Sequence, residues 1–437
     1  MSKHHGTNER MWKLIERTCD ENDMCHDKFG HNFGYLFGKG DTNTFSKEKL
    51  AEVAVSMTDS NQSPDLATPI GFAFLGQFID HDITLDVISK LGEVVDDVTE
   101  IENLRTPRLE LDSVYGSGKE GTPYLYDGDN IILGHKRNPK DFQRNSKGTA
   151  IIGDPRNDEN LFINQLHSGF CQFHNCLLND FNMTFEEAQQ FVRWVYQKAI
   201  VEEFLTEVIQ ANIYSPIKQG FYNGQLPGPI NWNNAALISV EFSAAAYRFG
   251  HSHVRNHYRL NRRKRGDLFD FGSFTPVKKG FNLDWKFFFN LDGHSHLKCR
   301  PIDTSLAADL FNLPFIHDLV KSLADRNLQR GQRTFGIRTG EDIAQNLFSI
   351  QPLPLHPKID NAGLTETPLW FYILHEAEQG GGKLGQLGGT IVAGTLLNLL
   401  LKDQNSYVNK SPEFDPFQVI PKHPSGSILS SMFNLIN

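Results

Sequence analysis

The sequence predicts a mainly α-helical fold with few, short strands, and three observations carry that prediction. Apolar residues recur at three- and four-residue spacing over long stretches. Helix-start signals precede several of those stretches. Alternation of apolar and polar residues is scarce. The 437 residues are 39% hydrophobic and 22% charged, a balance that suits a folded protein with a large core. No Pro/Ser-rich linker, low-complexity tract or repeat offers a place to divide the chain. One large domain is expected over 46–437, with 1–45 as an N-terminal extension packing on its core.

The elements follow in order. "SPDLATPIGFAFLGQFIDHD" offers Thr68 as N-cap and Pro69 at the first helical position. "TPRLELDSVYG" (106–116) is the best extended segment. "ENLFINQLHSGFCQFHNCLLNDF" has helical spacing, and "TFEEAQQFVRWVYQKAIVEEFLTEVI" adds a capping box from Thr184 and Glu187. "LISVEFSAAAYRFGHSHV", "AADLFNLPFIHDLVKSLADRNLQRG" and "TIVAGTLLNLLLKD" read as further helices. Between them run long loops rich in Gly, Pro and Asn.

Charge and cysteine content narrow the function. A net charge of −9 argues against a general nucleic-acid binder. The one basic run, Arg262-Arg263-Lys264-Arg265, reads as a solvated loop after a helix. Five cysteines, at 19, 25, 171, 176 and 299, form no disulfide framework or zinc spacing. Cys171 and Cys176 flank His174 on a helix and read as free thiols. "MSKHHGTNERMWKL" contains no apolar signal-peptide core, and "IVAGTLLNLLL" (391–401) is too short to span a bilayer. The expectation is a soluble chain, cytoplasmic or exported by a non-classical route.

Four constellations carry chemistry. In "GQFIDHDITLD" (76–86), Gln77, Asp80 and His81 stand at i, i+3 and i+4 and share one helix face. Asp82 lies about 100° further round. Such polar groups in an apolar helix are either paired or functional, and alone the segment reads equally as a satisfied Asp–His pair. In "TPRLELD", Thr106, Arg108, Glu110 and Asp112 alternate and in extended chain would point to one side. Their oxygens suit a hard cation, although by itself the segment reads more simply as an edge strand with polar residues outward. "GDPRNDEN" (153–160) places Arg156 and Glu159 three apart at a helix start, where a solvent-facing cap is the simpler explanation. In "AYRFGHSHVRNHY" (246–258), Arg248 precedes His251 by one turn, and Gly250 lets a flat group approach the backbone. Any of His251, His253 and His257 could be structural. "ADRNLQRG" sets Asn327 and Arg330 at i, i+3.

As a set, "QFIDHD", "TPxLxLDSVYG", "GDPRxxE", "RFGH" and "RNLxRG" resemble the animal-type haem peroxidases of the peroxidase–cyclooxygenase superfamily, especially the shorter bacterial-type members. The resemblance runs from about residue 25 to 420 and includes "TPLWFYILHEAE" and "GGTIVAGTLLNLLLKDQNSY". It implies haem b held between distal and proximal helices. His81 would be the distal acid–base, with Arg156 stabilising charge and Gln77 holding water or a halide. His251 would be the iron ligand, with Asn327 accepting its second N–H and Arg248 and Arg330 pairing with propionates. Asp80 and Glu159 would form esters to haem methyl groups. A third, sulfonium link needs Met after that Glu, where this chain has Asn160. Calcium would be bound by Asp82, Thr106, the carbonyl of Arg108, Glu110 and Asp112. Glu110 departs from the family's usual Asp.

The implied activity is reduction of hydrogen peroxide with oxidation of halides, thiocyanate or small phenols. One alternative is a fatty-acid dioxygenase. Those relatives carry a radical-forming Tyr three residues before the proximal His, where this chain has Arg248 and sets Tyr247 one step off. The other is a peroxinectin-like adhesion protein, suggested only by Arg265-Gly266-Asp267.

Overall fold

In the computed structural model, residues 32–437 are described apart from 60–63, 87–88, 92, 135–137, 273, 315 and 317. Cys19, Cys25 and most of the expected N-terminal extension lie outside the described residues.

The principal helices are α1 (Lys47–Ser56), α2 (Gly71–Ile83), α3 (Leu161–Phe181), α4 (Phe185–Ala199) and α5 (Ala211–Tyr222). They are followed by α6 (Leu323–Gln329), α7 (Leu369–Gln379), α8 (Gln386–Lys402) and α9 (Ile428–Leu435). Two antiparallel hairpins pair β1 (Tyr126–Asp127) with β2 (Asn130–Ile131), and β3 (His257–Arg259) with β4 (Arg265–Asp267). The mainly helical prediction therefore holds.

One continuous apolar core joins these elements. Helix α2 lies against α3 and against a 3-10 segment, Ala246–His253. Phe78 stacks on Phe170 at 5.2 Å and Phe74 on Phe162 at 4.4 Å. Each ring pair adds about 1 kcal/mol beyond its buried area and fixes the axial register of α2 against α3. Helix α8 is buried nearly all round. That marks a central core helix, and no helix among the described residues is long and apolar enough to cross a membrane.

Helix α4 begins with the expected capping box: Thr184 accepts from Glu187 N, and Glu187 returns to Thr184 N. Five other expectations are corrected. Helix α2 starts at Gly71, and Thr68 turns its hydroxyl to Glu207 at 2.7 Å instead of capping. Residues 106–116 form no strand. Leu111 adopts φ 59°, and Asp112–Tyr115 is a helical turn. Local bends, including Arg108 N to Thr106 O at 2.7 Å, override the alternating pattern. The stretch around Pro314 divides into a short 3-10 turn, Ala308–Phe311, and the seven-residue α6. Proline cannot donate the next helical hydrogen bond. Arg262, Arg263 and Lys264 of the basic run lie at the tip of the β3–β4 hairpin and Arg265 begins β4, so the run does not follow a helix.

The predicted helix over "LISVEFSAAAYRFGHSHV" is also interrupted. It contains one turn, Val240–Ser243, and then the 3-10 segment. Three residues per turn still place Arg248 and His251 on one face, and they set Tyr247 about 120° away. Cys171 and Cys299 are buried free thiols, while Cys176 is half-buried.

Gly394 permits the closest approach on α8, since a Cβ there would meet the Trp232 ring at 2.0 Å. Gly394→Ala should therefore cost about 1–3 kcal/mol through overpacking. Denaturant melts read this directly, and an unchanged midpoint would show that Trp232 can move aside.

Candidate active site

The last turn of α2 and the 3-10 turn Pro155–Asp158 face each other across one side of the site. His81 is buried, with Nδ1 2.8 Å from Asn157 Oδ1. Asn157 Nδ2 lies 3.0 Å from His167 Nδ1 on α3. His81 Nε2 stays 4.0 Å from Glu159 Oε1, outside hydrogen-bond range. Burial, reinforced by Arg156, pushes the His81 pKa down to about 4. The imidazole is therefore neutral, and competent as a base, across ordinary pH.

Arg156 is held from both sides. It donates through Nη2 to His81 O at 2.9 Å and to Asp154 Oδ2 at 2.7 Å. Asp154 is fully buried and also accepts from Arg105 at 2.5 Å. Burial alone would raise the Asp154 pKa, but the Arg156 and Arg105 guanidinium groups hold it at about 2. Gln77 donates to Glu159 and accepts from Asn160 at 3.3 Å. Desolvation raises the Glu159 pKa to about 7, against the attraction of Arg156. Asp80 accepts from Thr84 at 2.9 Å.

On the 3-10 segment Ala246–His253, His251 Nδ1 lies 2.9 Å from the Asn327 amide. The expected partner is present, but its nitrogen end faces the ring. Accepting an Nδ1–H requires the amide to turn by 180°, a choice set by hydrogen-bonding context. His253 is tied by Nδ1 to Arg300 O at 2.6 Å, and His257 pairs on the surface with Asp267. Arg248 donates to Ser243 O at 2.8 Å. Arg330 donates to Asp86 at 2.5 Å and to Ser89 Oγ at 2.7 Å. Asp80, Arg156, Arg248 and Arg330 line one cleft of about 200 Å³ with Phe33 and Phe335. Tyr247 is not part of that lining, stacks on Phe242 at 4.7 Å, and its hydroxyl has no hydrogen-bond partner.

The residues expected to hold calcium are partly assembled. Both Asp82 carboxylate oxygens and Asp112 Oδ1 are buried without hydrogen-bond partners of ordinary geometry. The Leu111 backbone and the Tyr196 phenol stand beside Asp82. Burial raises the Asp82 pKa strongly, and repulsion from Asp112 and Glu110 adds to it. Orphaned buried carboxylate oxygens beside like charges fit a bound cation. Against that, Arg105 already pairs with Asp112 at 2.9 Å, and Thr106 donates to Glu110 at 2.5 Å. Among the described residues no three His, Cys, Asp or Glu side chains close on a common point.

The haem fit rests on donor chemistry. One imidazole carries an amide at Nδ1, and the guanidinium groups of Arg248 and Arg330 line the cleft, donors that suit an iron porphyrin with two propionates. Sequence reasoning did not single out Asp154, Arg105, Asn157 or His167. Asp154 and Asn157 flank Arg156 inside "GDPRND", so proximity was the available signal. Arg105 and His167 carried none, since only folding brings them there.

Comparison with known proteins gives the family and the fold. The animal haem peroxidase family model matches residues 97–332. No curated protein matches the chain. Similar solved structures include peroxidase A from Dictyostelium discoideum, at 17% identity and TM-score 0.63, covering 93% of each chain. The fatty acid alpha-dioxygenase of Oryza sativa is 16% identical at TM-score 0.63, covering 94% of this chain and 81% of its own. The Arabidopsis thaliana enzyme is 13% identical at TM-score 0.66, covering 93% and 77%. These likenesses establish a shared fold.

Asp154→Asn should cost roughly 3 kcal/mol at neutral pH, because two partly buried guanidinium groups lose their shared counter-charge. The native pKa is depressed, so the Asp154 contribution is complete above the ordinary 3.8 and lost as pH falls through about 2. Chemical denaturation should show the mutant and wild type converging below that pH.

Proposed function

This chain belongs to the animal haem peroxidase family, and on that premise we propose that it reduces hydrogen peroxide and oxidises a small donor such as a halide, thiocyanate or a phenol. The observation that carries this reading over lipid oxygenation is Arg248. It shares a face with His251 and lines the cleft, whereas Tyr247 is not part of that lining and stacks on Phe242.

His251 would be the iron ligand, with Asn327 orienting its ring. Its place one 3-10 turn after Arg248, which lines the cleft, favours this choice over His253. Arg248 and Arg330 would receive the propionates, and Arg330 would then share its charge with Asp86. Haem, when bound, supplies the electrons for O–O cleavage and recovers them from the donor. His81 Nε2 takes the proton from one peroxide oxygen and returns it to the other. Arg156, already braced by Asp154, offsets the negative charge that grows as the bond breaks. Gln77 holds water or a halide beside His81.

Asp80 and Glu159 are the candidates for ester links to the cofactor. A Glu159 pKa near 7 is consistent with a carboxyl easily held neutral. Asn160 uses its side chain to cap α3 by accepting from Ile163 N at 3.0 Å, so no third link is expected. Asp82, Thr106, the Arg108 carbonyl, Glu110 and Asp112 would bind calcium after modest rearrangement. An adhesion role is disfavoured, because Asp267 pairs with His257 and caps the turn Leu268–Phe271.

Iodide or guaiacol should be oxidised with saturation kinetics, and His81→Ala should slow this about 10²-fold or more. Linoleate should consume oxygen no faster than with free haem. Regiospecific hydroperoxide formation that survives Arg248→Gln and vanishes in Tyr247→Phe would overturn the peroxidase reading.

Metal analysis after exhaustive dialysis should find one calcium per chain, and Asp82→Asn should abolish it. A calcium-free protein with full activity and an unchanged melting temperature would remove the calcium assignment.

A further inference from the structure

The Asn157 side chain bridges two buried imidazoles, and nothing in the chemistry above explains that bridge. Its Oδ1 lies 2.8 Å from His81 Nδ1 and its Nδ2 lies 3.0 Å from His167 Nδ1. An amide has one accepting end and one donating end. In this orientation the oxygen can only accept, so His81 Nδ1 must carry the proton. His81 Nε2 is then left with its lone pair, the form that can take a proton from peroxide. With the amide reversed, Nε2 would hold the proton and His81 could not act as the first base.

Each part of the bridge is fixed. Asn157 is fully buried, and its backbone N donates to Asp154 O at 3.1 Å. The next residue, Asp158, is gripped by both terminal nitrogens of Arg144. The His167 ring meets Phe142 edge-on at 4.8 Å and Phe78 at 6.0 Å. His81 is carried on α2, one turn after Phe78.

We propose that Asn157 is a positioning residue that sets His81 as its Nδ1–H tautomer, and that His167 in turn sets the orientation of the Asn157 amide. The proposal rests on the peroxidase reading, and its test separates the two. The full-length chain is labelled with ¹⁵N-histidine, and ring nitrogen shifts are recorded by NMR, with His81→Gln identifying the His81 signals. His81 should show a protonated Nδ1 and an unprotonated Nε2. Asn157→Asp keeps an acceptor and should preserve that pattern. Asn157→Leu should convert His81 largely to the Nε2–H form, and His167→Phe should yield a mixture.

In the haem-loaded protein, Asn157→Leu should lower kcat/KM for peroxide about tenfold to a hundredfold, within the range for acid–base groups. The KM for iodide should not move, and Asn157→Asp should restore most of the loss. An Nε2-protonated His81 in the wild type would overturn the proposal, as would a folded Asn157→Leu with wild-type kcat/KM for peroxide. Should Asn157→Leu not fold, the wild-type and Asn157→Asp spectra decide. An Nδ1–H His81 in a protein without peroxide turnover would refute the function and leave the tautomer assignment standing.

Discussion

The carboxylate of Asp154 is the constraint on which the site depends. It is fully buried and accepts from Arg156 and from Arg105. Arg105 also holds Asp112 and the Gly153 carbonyl. One anion therefore ties the turn that carries Arg156 to the loop that carries the acidic cluster around Asp82. Burial of a lone carboxylate would be strongly unfavourable, and two fork-shaped cations make it tolerable. The arrangement fixes Arg156 against the carbonyl of His81, so guanidinium and imidazole keep one relative position.

The same device recurs nearby. Arg144 grips Asp141 and Asp158 with its side chain almost wholly enclosed. Residues 154–159 are thus clamped at both ends, Asp154 by Arg105 and Asp158 by Arg144. Between the clamps stand Arg156 and Asn157, and Glu159 follows immediately. A segment this short has no hydrophobic face to define its path, so ion pairs and the turn hydrogen bonds do so.

Buried carboxylates also organise the scaffold. Glu376 on α7 accepts from Leu387 N and Gly388 N at the start of α8. Glu203 accepts from Ile428 N and Leu429 N at the start of α9. Glu241 accepts from Leu36 N and Phe37 N. Each satisfies backbone N–H groups that their own segment leaves unpaired, and at the helix starts each sits at the positive end of the dipole. Apolar packing decides which helices meet, and these contacts decide where two of them begin.

The sequence by itself determined the helical class, the α4 capping box and the central apolar helix α8, and it marked the motif residues from Gln77 to Arg330 as candidates. Those features are local: a 3.6-residue period and a capping residue act within a few positions of themselves. What only the tertiary structure decided depends on distant partners. Alternation in "TPRLELD" gave way to bends. The pattern before His251 folded as a 3-10 segment, and Pro314 divided an expected helix. Arg105 and His167 carry no motif, yet one braces Arg156 and the other meets Asn157. Their positions follow from burying unlike charges and polar rings in one core, where every hydrogen-bonding group needs a partner that the local chain cannot supply.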